Sequence, residues 1–599
     1  MLEMKRICLV MLFGMSVGLL TSCINEKYDL DEVDWTLGFG GDRLKLPINN
    51  SSTELRLDDF FKVEESDIIS TMENGDYVLT KVYEDTEPTT VRIDKIVIES
   101  SVTENDDVVA VLPEVLRPFV GQTIDVSAYN IADSGRIAGF SYECDVTKEI
   151  KELDWVDVTD NNGDDCHFMI NLSLPRSVRR FEFINVRLPE QILATWENPM
   201  EGAVFDTVKN TLTLKNYQSE EKLTLRFKVK RFYEGHSSDD NYADFNNGHI
   251  SVKGSIFVVA KVAEITIPED LRILLSGSNT LDKINIVRAH GLIDPEIEMK
   301  DMGTITIDTI PDYLKDEEAV TDLDNPQLWL TVRSTLPLGG TIKAIVRSDV
   351  YPEGIKLDTP GRIIRIKGSN DGMTETETRV LLCRYNPGVN TDEYQVIEDA
   401  NLPKLIGKMH DGMTLEFEAT EVKANQEPTT IDFDYEYHLW VDCYFTALLA
   451  FGPHAAIAYH DTFHDWNEDI KDVRLSKDGY LHFKATVVNR IPADLEVNVV
   501  PIDKEGHILD DLRVEMLVNE VPGSRDGAVE SPLELRIVDT TGQGVTQLDG
   551  MKLELKVSSN DQLQGVVLNK SQQTLLLKDV QVELVGKIIY DANKENDLP

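Results

Sequence analysis

The chain has 599 residues, too many for one hydrophobic core, so three or four domains are the starting expectation. Apolar content of 41% and charged content of 28% are those of ordinary globular proteins. The formal charge of -47 sets the chain against phosphate backbones and anionic headgroups, which excludes nucleic acid as a partner.

The chain opens with Lys5 and Arg6, followed by an apolar run from Ile7 to Leu20. That run is shorter than the ~20 residues a membrane helix needs. Small residues and a cysteine follow it, so residues 1–22 read as a cleavable signal peptide. Its end, Leu20-Thr21-Ser22-Cys23, resembles the lipobox of bacterial lipoproteins. The resemblance implies cleavage before Cys23, acylation of its thiol and new amino group, and a membrane partner through that anchor. Several acyl chains hold far better than one, since each buried CH₂ contributes about 0.8 kcal/mol. Losing Glu3, Lys5 and Arg6 removes a net +1 and leaves the mature chain near -48.

Residues 23–50 read as an acidic tether. Its Glu26, Asp29, Asp31, Glu32 and Asp34 resemble the export signal behind the cysteine of Bacteroidetes surface lipoproteins. Here the acids alternate with Tyr28, Leu30 and Val33 instead of forming a block. The resemblance implies an outer-membrane location with the chain facing outward; the periplasmic face is the alternative.

Beyond the tether the pattern is strand, turn, strand. Leu223, Leu225, Phe227 and Val229 alternate with Thr224, Arg226, Lys228 and Lys230, and Met551, Leu553, Leu555 and Val557 alternate likewise. Such runs put one face on a core and the other in water. Turn clusters stand at Asn74-Gly75-Asp76, Asp160–Gly163, Asn246–Gly248 and Asn370–Gly372. Short helices are expected only near Asp399–Lys408 and Glu149–Asp154. The fold class is all-β, in tandem β-sandwich modules.

The chain also repeats itself. Glu87-Pro88-Thr89-Thr90 returns as Glu427-Pro428-Thr429-Thr430, and His167-Phe168 returns as His482-Phe483. Strands end in Leu174-Pro175, Leu336-Pro337 and Ile491-Pro492, as proline's missing donor requires. This unit is similar to the Asn-x-x-Pro hairpins of LEA-2-like and fibronectin-like (immunoglobulin-type) sandwiches. The expected modules are 51–265 as copy one, 266–360 as a middle module and 361–599 as copy two with the C-terminal strands.

Four cysteines remain after Cys8 and Cys23: Cys144, Cys166, Cys383 and Cys443. Without a C-x-x-C they read as buried free thiols, with a Cys144–Cys166 bridge as the alternative. His454, His460 and His464, beside Asp461 and Asp465, are the metal-ligand candidates, since zinc takes imidazole and carboxylate. Trp155, Trp196 and Trp466 are flanked by acids and lie nearer loops, which makes them the ligand-stacking candidates; Trp329 and Trp440 read as core. The apolar run Cys443–Tyr459, broken at Gly452-Pro453, reads as a buried hairpin.

No nucleophile elbow, phosphate loop or H-E-x-x-H zinc motif occurs, so no catalytic residue and no cofactor is assigned. The function expected is a non-catalytic, lipid-anchored envelope protein for adhesion, glycan or protein capture, or structural assembly. The alternatives are a glycan-cleaving enzyme built on Asp and Glu, and a periplasmic carrier of lipid or lipoprotein.

Overall fold

The computed structural model describes residues 36–39, 44–46, 53–57, 66 and 68–591, apart from 84–86, 99, 247, 298, 300–302, 466, 468–472 and 478. The protein is all-β, with 58% strand and 5% helix, in tandem sandwich modules. Among the described residues no helix is long and apolar enough to cross a membrane.

Three units share one plan. In each, a central strand ends at one of the Leu-Pro or Ile-Pro turns. Cys166–Ser173 lies between Lys222–Tyr233 and Arg272–Leu281. Gln327–Ser334 lies between Thr376–Cys383 and Tyr437–Leu448. Gly479–Asn489 lies between Val529–Asp539 and Thr574–Val585. Alternation explains the burial: Leu223, Leu225, Phe227 and Val229 are buried at 0–2% exposure, while Thr224 and Arg226 face water.

The units are nested along the chain. The strands Leu44–Leu46 and Thr53–Arg56 pair with Thr574–Val585, and Thr36–Phe39 pairs with Ile588–Asp591. Both ends of the chain therefore build one terminal unit, whose second sheet sets Gly550–Ser558 between Ala456–Phe463 and Asp494–Ile502. Next, Ile69–Thr71 and Tyr77–Tyr83 complete the middle unit against Tyr437–Leu448. Its other sheet centres on Met413–Ala424 and Gly340–Ser348. The stretch 96–293 then forms an inserted unit.

In that inserted unit the second sheet sets His249–Thr266 between Ala132–Asp145 and Val178–Arg187. Ser100–Val111 pairs with both sheets and makes a corner. Phe140 of one sheet meets Phe168 of the other edge-on, with centroids 5.5 Å apart. Gly254 is required beneath them, because a Cβ there would stand 2.3 Å from the Phe140 ring.

Several elements differ from the sequence expectation. The segment 23–50, read as tether, contains two strands of the terminal unit. Strand pairing crosses the limits drawn at 265 and 360: Arg272–Leu281 and Ile284–Ile293 belong to the inserted unit, and Thr376–Cys383 to the middle one. Glu149–Asp154 is not helical but opens the strand Ile150–Thr159. Its buried positions Ile150, Leu153 and Val156 imitate a helical spacing because register shifts interrupt the pairing with Ile284–Ile293. Near Asp399–Lys408 a short 3₁₀ helix, Leu402–Ile406, does form.

Cys443–Tyr459 is not a hairpin. Tyr437–Leu448 pairs within the middle unit and Ala456–Phe463 within the terminal one, so Gly452-Pro453 marks the crossing between them. Trp329 and Trp440 are half-buried on the outward side of their strands, opposite Leu328, Leu330, Leu439 and Val441. The four described cysteines are free thiols.

The two Glu-Pro-Thr-Thr segments are connectors. Thr89–Val91 pairs with Tyr437–Leu448 in the middle unit, and Thr429–Asp432 pairs with Ile284–Ile293 in the inserted unit. Arg92 forms an ion pair with Asp434 between them. At the other joint, Asn569 Nδ2 donates to Asp76 Oδ1 at 2.8 Å and to the Asn74 carbonyl at 3.1 Å.

Candidate functional site

The lipobox residues Leu20, Thr21, Ser22 and Cys23 lie outside the described residues, as does Trp466. The remaining candidates are placed.

Trp155 stands in Ile150–Thr159, opposite Tyr233 on one neighbouring strand and His290 on the other. The Arg231 guanidinium carbon lies 3.4 Å from its ring centroid. The His290 ring stacks at 5.8 Å with an interplanar angle of 15°. Arg231 also donates to both carboxylate oxygens of Asp157, at 2.5 and 2.9 Å. That hydrogen bond holds the guanidinium above its ordinary range. The indole is therefore packed from both adjoining strands by protein groups. Trp196 is half-buried against the main hydrophobic core, and its indole N–H is buried without a partner. Neither ring is an open platform for a sugar.

The three histidines do not gather. His454 is exposed at the crossing turn, where its backbone N–H donates to Asp322 Oδ2 at 3.0 Å. His460 is exposed with Nε2 3.2 Å from Asp316 Oδ2. His464 is exposed beyond the end of Ala456–Phe463. Among the described residues, one group of acids and imidazoles brings its ligand atoms within 4.8 Å: Asp503, Glu505 and His507 on a surface turn.

The repeated His-Phe pair occupies the same place in both copies. Phe168 is fully buried and Phe483 packs on the terminal core, while each histidine, half-buried His167 and buried His482, lies between two carboxylates. His167 Nε2 is 3.3 Å from Glu197 Oε2, and its Nδ1 is 3.5 Å from Asp282 Oδ2. His482 Nε2 is 2.5 Å from Glu534 Oε1, and its Nδ1 is 3.9 Å from Glu583 Oε2. Lys484 Nζ lies 3.8 Å from Glu583 and 4.0 Å from Glu534.

Two carboxylates flanking one strand are the geometry a glycan-cleaving enzyme would use, at about 5–10 Å separation with substrate between them. Here His482 and Lys484 fill that space. Cys166, beside His167, is buried, and burial pushes its thiol up to about 12, so it stays protonated at neutral pH. These clusters join neighbouring segments through imidazole–carboxylate contacts and, beside His482, through the ammonium of Lys484. Sequence reading found the His-Phe repeat but not the four acids, which converge from strands 30 to 115 residues away.

Among the described residues, two small apolar pockets are lined by core side chains. One of about 20 Å³ sits in the inserted unit among Val108, Phe181, Val258 and Leu275. The other, of about 50 Å³, sits where the middle and terminal units meet, among Leu57, Phe451, Ile457, Leu495 and Leu575. Both are far below the roughly 300–1,000 Å³ of small-molecule pockets.

No protein-family model matches the chain. No curated protein matches it. Among solved structures it is similar to a Parabacteroides distasonis protein inferred to be secreted, with a TM-score of 0.31 and 15% identity over 49% of this chain and 89% of that one. It is similar to the enzymatically active domain of tailspike protein 4 of bacteriophage CBA120, with a TM-score of 0.12 and 13% identity over 22% of this chain and 15% of that one. It is also similar to the protein of infectious bursal virus T=1 particles, with a TM-score of 0.13 and 8% identity over 89% and 82% of the two chains. Likeness at these scores carries no functional argument.

Proposed function

We propose that the chain is a lipid-anchored protein of the bacterial outer membrane that holds a protein or glycan ligand outside the bilayer without transforming it. The observation that carries this reading is the box Leu20–Cys23 only 13 residues before the first strand, Thr36–Phe39. An anchor there fastens the series of sandwiches to the membrane.

The test is Cys23→Ala. Acyl labelling disappears and the protein leaves the membrane fraction; labelled, membrane-bound Cys23→Ala would sink the anchor. Protease applied to intact cells then decides orientation. Digestion supports outward display, and full protection until lysis places the chain on the periplasmic face.

A further inference from the structure

The middle unit carries an aromatic face that its core does not use. Gln327–Ser334 and Tyr437–Leu448 bury Leu328, Leu330, Leu439 and Val441 on one side and turn Trp329, Trp440 and Tyr444 to the other. Their register sets Trp329 opposite Tyr444, Thr331 opposite Asp442 and Arg333 opposite Trp440. Two rings therefore stand side by side, and a third stands four residues along, about 13 Å away at strand rise. Tyr444 is 37% exposed, and the Arg333 and Asp442 side chains are 34 and 27% exposed, so water reaches the whole row. These indoles are held differently from Trp155, on which His290 stacks at 15°. Tyr394 meets Trp329 at 85°, His438 is tilted by 47° to Trp440, and the Arg333 guanidinium carbon is 5.4 Å from the Trp440 centroid. Ring contacts at such angles brace an indole without lying flat on it.

The charges among the rings answer one another. Arg333 Nε donates to Asp442 Oδ2 at 3.0 Å, and its Nη1 lies 3.8 Å from Glu375 Oε1. On the next strand Arg379 Nη2 donates to Glu377 Oε2 at 2.8 Å. Two guanidinium groups thus meet three carboxylates, so a sulfated or uronate chain would face a net negative surface on an already acidic protein. Both strands that carry the rings are paired on both sides, which leaves no backbone edge there for a peptide strand to join. Flat rings interleaved with hydroxyl, carboxylate and guanidinium groups suit a ligand with apolar C–H faces, many hydroxyls and no charge.

We infer that this outer face of the middle unit binds an uncharged polysaccharide chain. One sugar ring stacks on Trp440 and another on the Trp329–Tyr444 pair, while Thr331, Arg333 and Asp442 bond the hydroxyls between them. The inference rests on the capture reading above and gives it a ligand class and a place on the fold.

The experiment runs the full mature chain, in nonionic detergent, through native gels containing dextran, soluble starch, galactomannan, xyloglucan or arabinoxylan, with polygalacturonate as the anionic control. The expected result is retardation by at least one uncharged polymer and none by polygalacturonate. Trp440→Ala and Trp329→Ala should each weaken that binding about tenfold, and Trp440→Phe should retain most of it. Tyr444→Ala removes an exposed ring and should weaken binding with an unchanged unfolding midpoint, which keeps the test decisive if an indole variant fails to fold. Retardation that survives both Trp440→Ala and Tyr444→Ala overturns this face while leaving glycan capture standing. Free migration in all the uncharged polymers, or retardation by polygalacturonate alone, overturns the site and leaves capture of a protein as the function. Release of reducing ends from the retarding polymer overturns the non-catalytic reading and supports the face as a glycan site.

Discussion

The inserted and terminal units use the same sandwich plan and reach it differently. The inserted unit is one continuous stretch, 96–293, and its core is deep: Ile137, Phe168, Ile170, Leu225 and Phe227 are all 0% exposed. The terminal unit is assembled from the two ends of the chain around two small clusters, and Leu481, Leu533, Leu535, Ile537 and Met551 each retain 8%. A thin core gains less from burial, so the terminal unit leans on the backbone ladder supplied by residues 36–56. One architecture thus serves as a self-sufficient body at one end and as a dependent clasp at the other.

Removing the clasp breaks the comparison most sharply. A chain beginning at residue 58 loses the strands that cover Thr574–Val585. Hydrogen exchange should then find the amides of 574–591 less protected, most of all those that face 44–46 and 53–56, while those of 166–173 and 222–233 keep full protection. Uniform loss across all three units would show a single cooperative body instead.

Core truncation comes next. Leu225→Ala in the inserted unit should cost about 4–5 kcal/mol, and Leu535→Ala in the terminal unit about 2–3 kcal/mol, because the shallower site loses less contact and relaxes more easily. Denaturant titrations of the two variants check the order; equal costs would remove the distinction between deep and shallow cores.

A smaller effect is expected at Arg231. Arg231→Gln removes the guanidinium from the Trp155 ring and from Asp157, whose side chains are 23% (Arg231) and 16% (Asp157) exposed. The cost should be about 2 kcal/mol. A change in tryptophan emission should accompany it; unaltered emission with unaltered stability would make the stack incidental.

The smallest change is one of reactivity alone. Burial pushes Cys166 and Cys443 up to about 12 and Cys144 and Cys383 up to about 11. Each thiol stays protonated at pH 8 and should resist maleimide in the native chain, with half-buried Cys144 the fastest. All four lie in the inserted and middle units, so the chain beginning at residue 58 should protect them equally well. Rapid labelling of Cys166 in that truncated chain would couple the two ends of the molecule.

The strands themselves were legible because one face is wet and one dry, and a period of two survives any topology. The three Pro-ended central strands were legible for the same local reason. Nesting was not. Thr36–Phe39 finds its partner at Ile588–Asp591, and nothing in either segment's composition specifies a partner more than 500 residues away. The Glu-Pro-Thr-Thr repeat pointed to equivalent strands, yet one serves the middle unit and the other the inserted one. Trp155 looked available because Asp154 and Asp157 flank it, while Arg231 and His290, which pack its ring, come from strands distant in sequence. The metal candidates clustered in sequence, but the His454 backbone turns to Asp322 at the crossing while the His460 ring meets Asp316.

The pairing of first strands with last also constrains the order in which the units can close as the chain emerges. A chain delivered amino end first presents residues 36–56 long before their partners emerge, and closing that loop directly carries a large entropic penalty. The contiguous inserted unit can fold as soon as residue 293 is across. The middle unit follows once 448 arrives, and each closure shortens the loop left for the next. Maturation therefore proceeds from the centre of the sequence outward, and the clasp forms last. Until then Thr574–Val585 and the early strands are open edges, the state most prone to pairing with a neighbour.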